Sequence, residues 1–250
     1  MPCQGCGGPD TVTFFIYKSL QLEYNIIMTT LSNDTLNILK NFSDINPNLV
    51  VKPGNSLSTI AEAKNIFAVA EITETFESQF GIYDLNEFIN VVNLVDEPEL
   101  SFNGESVTLQ NGKAKASYRF ADESILTSPQ NEITMPSTEV SVSISGNTLT
   151  QIRSAARVMN HAIVSLKGED GVVTLAVVDP KNPTANTFSI ILDEDNECKS
   201  SFDLQFLIAN LKVLSGDYNV KISSKLISEW INTSVPVKYY IALEKTSTYN

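Results

Sequence analysis

An α+β architecture in two similar domains is the fold class this sequence predicts, and three observations lead to it. The segment Tyr83-Asp84-Leu85-Asn86-Glu87-Phe88-Ile89 returns later as Phe202-Asp203-Leu204-Gln205-Phe206-Leu207-Ile208. Earlier in each copy, Thr35-Leu36 matches Thr148-Leu149, and Leu49-Val50-Val51-Lys52 matches Ile163-Val164-Ser165-Leu166-Lys167. Within each copy the apolar pattern switches between the period of amphipathic helices and that of strands. A chain made twice from one unit, with no catalytic constellation in either copy, points to a geometric device rather than an enzyme.

Taken in order, residues 1–27 are expected to be either an added extension outside the folded unit or a misassigned start. They carry Lys18 and Glu23 in an apolar stretch, with no basic n-region and no small-residue cleavage site, so they do not read as a signal peptide. The folded unit is expected to open at Met28, because Leu31-Ser32-Asn33-Asp34 supplies N-cap chemistry. A helix follows over 34–46, with Leu36, Leu39 and Phe42 as its apolar stripe and Asn37, Lys40, Asn41 and Asp44 on the other side. Its counterpart over 147–160 buries Leu149, Ile152, Ala156 and Met159, and Arg153 and Arg157 share one face beside that stripe. Asp84 and Asp203 read as N-caps of a second helix in each copy, about 85–95 and 204–214, with Lys212 near the end of the latter.

Between the helices, Ile66 to Ile72, Val107 to Gln110, Val172 to Val178 and Val235 to Leu243 are rich in β-branched residues and predict strands. Asn103-Gly104, Asn111-Gly112, Asp170-Gly171 and Ser215-Gly216 tolerate positive φ, so antiparallel hairpins are expected rather than parallel crossovers. Ala121 to Val140, with Pro129, Pro136 and several Ser and Thr residues, reads as an interdomain linker. The predicted organisation is domain 28–122, linker 123–138 and domain 139–250.

Composition narrows the function. The chain has 29 acidic against 17 basic residues and a formal charge of −12, which excludes a protein that grips nucleic acid with its whole surface. Cys3, Cys6 and Cys198 are too few for a disulfide framework, and Cys3-Gln4-Gly5-Cys6 is a lone pair without a second set of ligands. No stretch approaches the roughly 18 apolar residues of a membrane span. His161, the single histidine, has no nucleophile elbow near it and reads as a helix-end residue. Asp193-Glu194-Asp195-Asn196-Glu197 lacks the glycine and distal glutamate of a calcium loop and reads as a solvated acidic loop. There is no GxGxxG, phosphate-binding loop or zinc spacing, and Trp230 reads as core. No metal or cofactor is expected.

From Met28 onward the chain resembles the sliding clamps of T-even-type bacteriophages, the processivity factors of DNA polymerase. The resemblance rests on Leu39-Lys40-Asn41-Phe42, Ile45-Asn46, Ile82-Tyr83-Asp84-Leu85-Asn86, Leu94-Val95 and Ala209-Asn210-Leu211-Lys212, in that order. Lys238-Tyr239-Tyr240-Ile241-Ala242-Leu243 is similar to the last strand of proliferating cell nuclear antigen, with Leu243 where that family has a proline. The resemblance implies two processivity-fold domains per chain and a homotrimeric ring, with sheets outside and helices lining a pore around duplex DNA. It also implies a replicative polymerase, an ATP-driven clamp loader and late-transcription factors with host RNA polymerase as partners, in the host cytoplasm.

Duplex DNA carries a negative charge about every 1.7 Å of axis, so its passage should present Lys and Arg without base readout. Lys40, Arg153, Arg157 and Lys212 are the leading DNA-facing candidates, followed by Lys52, Lys64 and Lys167. By the same resemblance, partner tails insert between the linker and the last strand, at Ile125, Leu126, Tyr240, Ala242 and Leu243, with Met135 and Pro136 beside them. Two other classes fit a chain without catalytic residues less well. A tail or capsid β-protein would need neither the repeat nor basic helix faces, and a carboxylate-dependent hydrolase would need a cleft pairing two acids.

Overall fold

The computed structural model describes residues 28–182 and 184–250. The first half runs β1 (Met28–Thr29), α1 (Asn33–Ile45), β2 (Leu49–Val51), β3 (Gly54–Ile60), β4 (Ile66–Phe76), β5 (Phe80–Ile82), α2 (Leu85–Val92), β6 (Glu99–Phe102), β7 (Ser106–Asn111) and β8 (Ala114–Arg119). A single 3-10 turn, Glu123–Ile125, opens the connection to the second half. The second half runs β9 (Val140–Ile144), α3 (Gly146–Met159), β10 (Ile163–Glu169), β11 (Val172–Val178), β12 (Phe188–Asp193), β13 (Phe202–Leu207), a 3-10 turn (Ile208–Asn210), β14 (Tyr218–Ser223), β15 (Ile227–Asn232), β16 (Val237–Ala242) and β17 (Thr248–Tyr249).

Each long helix starts where a side chain satisfies free amides and continues because its apolar residues share a face. Ser32 accepts from the Thr35 amide at 3.2 Å, and α1 then buries Ile38, Leu39, Phe42 and Ile45. Asp84 accepts from the amides of Asn86 and Glu87 at 2.9 and 3.0 Å to start α2. Ser145 accepts from the Thr148 amide at 3.1 Å to start α3, which ends where Asn160 takes a left-handed conformation (φ 54). Among the described residues all ladders are antiparallel, and three of the expected glycine turns are hairpin turns: Gly104 and Gly112 (φ 85 and 56) flank β7, and Gly171 (φ 88) joins β10 to β11, whereas Ser215-Gly216 (φ 141) lies in the connection before β14 and joins no hairpin.

The two halves repeat one wiring. In each, the opening strand is followed by a helix and is later paired by the first strand of a closing three-strand meander: β1 with β6, β9 with β14. In each, the strand after that helix pairs with the strand before the second helical segment: β2 with β5, β10 with β13. The counterpart of α2 in the second half is only the 3-10 turn Ile208–Asn210.

The expected helix over 204–214 is therefore a correction. Phe202, Leu204 and Phe206 are buried and alternate with Asp203 and Gln205, and β13 lies beside β10 with Leu204 opposite Leu166. Asp203 is not a cap; it sits within β13 and accepts from the Ser165 hydroxyl at 2.6 Å. The match of Asp84 to Asp203 thus aligned a helix start with a strand, because five residues of alternating apolar character satisfy either period when no partner strand is known.

A six-stranded sheet, ordered β3-β4-β16-β15-β14-β9, runs through both halves. Its central joint pairs β4 of the first half with β16 of the second, Ala68 opposite Tyr239 and Phe67 opposite Tyr240. On its inner side, Tyr239, Tyr218, Trp230 and Phe206 form a chain of edge-to-face ring contacts at 5.7 to 6.2 Å. Trp230 is core, as its setting in the sequence indicated, and its indole N–H donates to the Ser228 hydroxyl at 2.9 Å.

Candidate functional site

The polar helix faces carry fewer free cations than the sequence indicates. Lys40 is exposed on α1 beside Asn37 and Asp44, and Arg157 is exposed on α3 beside Ser154 and Val158. Arg153 turns into the protein instead. Its guanidinium donates to the carbonyls of Leu211 (2.7 Å) and Val213 (3.1 Å), and burial lowers its pKa from the ordinary value. Lys212 is also committed, its ammonium donating to the Asp44 carbonyl in the last turn of α1. That turn has no basic residue of its own, so a cation from the other half sits at the negative end of the helix.

The same seam is fixed by a buried chain of hydrogen bonds. The Asn41 amide donates to the Lys212 carbonyl, the Tyr239 hydroxyl donates to Asn41 Oδ1 at 2.8 Å, and the Leu214 amide donates to the Tyr239 hydroxyl at 3.2 Å. Burial is the main reason the Tyr239 pKa is driven far up, so the phenol stays neutral and keeps its proton for Asn41.

The remaining three cations lie away from the helix faces. Lys167 is exposed on β10, whose alternate residues Val164 and Leu166 are buried; α3 packs on that strand, so Lys167 stands on the opposite face of the sheet. Lys52 is exposed next to the buried Val51, and Lys64 occupies a left-handed turn between β3 and β4. The α2 face is neutral to acidic, with exposed Asn86, Glu87, Asn90 and Asn93.

A second feature lies on the outer side of the six-stranded sheet. A cleft of about 410 Å³ opens over the β4–β16 joint, lined by Phe67 and Val69 of β4, Lys238 and Tyr240 of β16, Ile231, Pro236, and Glu132 and Ile133 of the connection. The Phe67 and Tyr240 rings lie 5.8 Å apart. The Tyr240 hydroxyl donates to Glu229 at 2.8 Å, and burial together with that carboxylate pushes its pKa up to about 12. Tyr240 is thus anchored at its polar end and presents its ring to the cleft.

Of the sequence-predicted pocket residues, the structure brings only Tyr240 to this cleft. Ile125 is exposed in the 3-10 turn, and Leu126 packs over Gly81, where a Cβ would collide with it. Ala242 ends β16 opposite Ile227, Leu243 is buried with its amide on the Leu226 carbonyl, and neither lines the cleft; nor do Met135 and Pro136. The apolar wall comes from Phe67 and Ile133, which sequence reasoning missed. Phe67 looks like one residue of an ordinary strand until β4 is paired with a strand some 170 residues on, a contact no local pattern announces.

The other sequence candidates behave as ordinary structure. His161 is part of the α3 end, its Nε2 2.9 Å from the Asn186 carbonyl. In the acidic loop, Asn196 is buried and donates to the Ser141 carbonyl, and Asp195 pairs with Lys199 at 2.6 Å. Among the described residues, no three His, Cys, Asp or Glu side chains form a metal cluster, and no helix is long and apolar enough to cross a membrane. Cys3 and Cys6 lie outside the described residues.

Residues 32–135 match the family model described as DNA polymerase processivity factor. The sliding clamp of Vibrio phage KVP40 is 28% identical over 221 residues, an alignment covering 86% of this chain and 98% of the phage protein. The chain is similar to phage sliding clamps along nearly their whole length. The clamps of Escherichia phage RB69 and Enterobacteria phage T4 are 27% and 25% identical, and each alignment covers 88% of this chain and 99% of the relative.

The fold is the processivity clamp fold. The A. fulgidus PCNA solved with the C-terminal region of FEN-1 bound gives a TM-score of 0.67 at 10% identity, covering 89% of this chain and 100% of that one. Entamoeba histolytica proliferating cellular nuclear antigen gives 0.63 at 12%, covering 87% and 98%. These relatives are clamps rather than members of an enzyme family.

Proposed function

We propose that this chain is a sliding clamp, three copies of which close head to tail into a ring that encircles duplex DNA and tethers a phage replicative polymerase. Domains 28–122 and 139–250, joined by 123–138, supply the six units of that ring. The observation that carries this reading is the joint inside the chain. β4 of the first half pairs with β16, the last strand of the second half's meander. By the repeated wiring, the counterpart of β4 is β12 and the counterpart of β16 is β8, and each is the outermost strand of its sheet. Making the internal joint again between copies, β8 of one against β12 of the next, is a heterologous contact that consumes both edges and closes into a ring.

The helix faces bearing Lys40 and Arg157 would line the passage, with Arg153 and Lys212 adding field rather than contact. Retention is then topological: a polymerase that lets go of the primer stays at high effective concentration and rebinds. Partner tails would dock in the Tyr240 cleft; the A. fulgidus PCNA, a protein of the same fold, was solved with the C-terminal region of FEN-1 bound. A clamp loader would open the ring and supply ATP hydrolysis, and late-transcription factors with host RNA polymerase would share the ring in the host cytoplasm. The clamp itself needs no cofactor. A phage tail or capsid role is not favoured, because the relatives named above are clamps along nearly their whole length.

Sedimentation equilibrium tests the ring. The expected mass is about three times 27.4 kDa, with dissociation on dilution. A chain that stays monomeric at micromolar concentration, or forms a stable dimer, overturns the reading.

A further inference from the structure

The two versions of the joint, one inside the chain and one between copies, differ in chemistry. The internal joint is apolar and aromatic: Phe67 faces Tyr240, Ala68 faces Tyr239, and both β4 and β16 are largely buried along it. The two edge strands are not built that way. β8 reads Ala114-Lys115-Ala116-Ser117-Tyr118-Arg119 and is preceded by Lys113, with Lys113, Lys115 and Arg119 all exposed. β12 ends in Asp193 and runs straight into exposed Glu194, and its Ile191 is 57% exposed, a large apolar side chain with nothing over it among the described residues.

The internal register fixes which ends meet. Val237, at the start of β16, lies opposite Ala70, and Ile241, near its end, lies opposite Ile66. Transferred to the edge strands, the start of β8 meets the end of β12. Lys113 and Lys115 of one copy then stand against Asp193 and Glu194 of the next, and the Lys115 stem covers Ile191. Opposite charges meet at the same end of an antiparallel pair, and a lone apolar side chain gains a cover.

Resting on the ring reading above, we infer that the joint between copies is a charge-sorted latch, held by Lys113 and Lys115 against Asp193 and Glu194, and that ionic strength sets how readily the ring opens. The internal joint has no such dependence, because its contacts are ring packing and buried strand pairing. Opening is thereby confined to the seams between copies. Exposed ion pairs are screened over about 10 Å at 0.1 M salt, so raising salt acts on the latch and leaves the core untouched.

Mass photometry of the full chain, at fixed protein concentration from about 50 mM to about 1 M sodium chloride, reads the latch directly. The wild type should be trimeric at low salt and lose trimer progressively as salt rises, with an unchanged melting temperature for the monomer fold. Lys113→Glu/Lys115→Glu should raise the dissociation constant at low salt by at least about tenfold, since like charges then face each other across the seam. Adding Asp193→Asn/Glu194→Lys to that variant should recover most of the trimer. A wild type that is never trimeric removes the ring reading itself. A trimer indifferent to salt and to Lys113→Glu/Lys115→Glu, or a weakened trimer that the second pair fails to recover, removes the latch and leaves the ring standing.

Discussion

At the start of α1, the Ser32 amide and the Thr35 hydroxyl both donate to the carboxylate of Glu74, which β4 brings beneath the helix terminus, and the Thr73 hydroxyl adds a third bond at 3.1 Å. Burial by itself would raise the Glu74 pKa, but hydrogen bonds from the Thr35 hydroxyl, the Ser32 amide and hydroxyl and Glu74's own amide outweigh it and hold the value below the ordinary 4.5. A depressed folded pKa means stabilisation that is full above the unfolded value and disappears as pH falls through the folded one. Glu74→Gln should therefore cost about 1 to 3 kcal/mol at neutral pH. Urea unfolding at a series of pH values should show the two proteins converging as pH drops below 4.5. A constant gap across that range would mean that shape, not charge, is what the mutation removed.

Tyr240 carries the cleft in the same single-residue sense, because its ring is the piece of the floor contributed by β16 and its hydroxyl is held by Glu229. Tyr240→Ala should weaken binding of a labelled peptide from the cognate polymerase C-terminus by about tenfold or more, the scale of losing one well-packed aromatic anchor. Tyr240→Phe, which keeps the ring, should bind within about threefold of wild type. Equal affinity of wild type and Tyr240→Ala in fluorescence anisotropy, with the assembly state unchanged, would take this cleft out of the proposed function.

At the scale of elements, α1, α2 and α3 are legible because their caps and apolar faces are local: Ser32, Asp84 and Ser145 each act within three residues. The segment after β13 is not legible, because what shapes it comes from elsewhere. Leu211 and Val213 are buried, and their carbonyls are satisfied by Arg153 of α3 rather than by a helical ladder. A side chain that looked like a surface cation is a structural partner for backbone, and only the fold tells the two apart. Arg153→Met should cost about 1.5 to 3 kcal/mol, since it leaves two carbonyls without a charged donor. Arg157→Met, four residues on and exposed, should fall within about 0.5 kcal/mol of wild type. Thermal melts of both decide it: equal losses would mean that the Arg153 bonds contribute nothing that water does not replace. The cleft was half legible for a similar reason. Tyr240 stands in β16, a strand recognisable from its sequence, whereas Phe67 and Ile133 reach it through long-range pairing and an irregular connection.

At the scale of the whole molecule, a net charge of −12 must be reconciled with a partner that is itself a polyanion. With Arg153 and Lys212 engaged on carbonyls, Lys40 and Arg157 are, among the described residues, the cations left free on the faces of α1 and α3, where Asp34 and Asp44 and several asparagine, serine and glutamine side chains are also exposed. So sparse a set suits sliding. Each phosphate neutralised adds a salt-dependent contribution to affinity, and a ring that gripped many at once would trade mobility for hold. Lys40→Glu/Arg157→Glu changes only exposed positions, so the fold and the assembly mass should be unaltered. Polymerase extension on primed circular DNA, with loader and ATP present, should yield shorter products than wild type. The deficit should be largest at low salt, where attraction to phosphate is least screened, and should shrink as salt rises. Products of wild-type length at low salt would move the DNA path away from these helix faces, while a deficit equal at all salt concentrations would assign the two residues to a partner's surface instead.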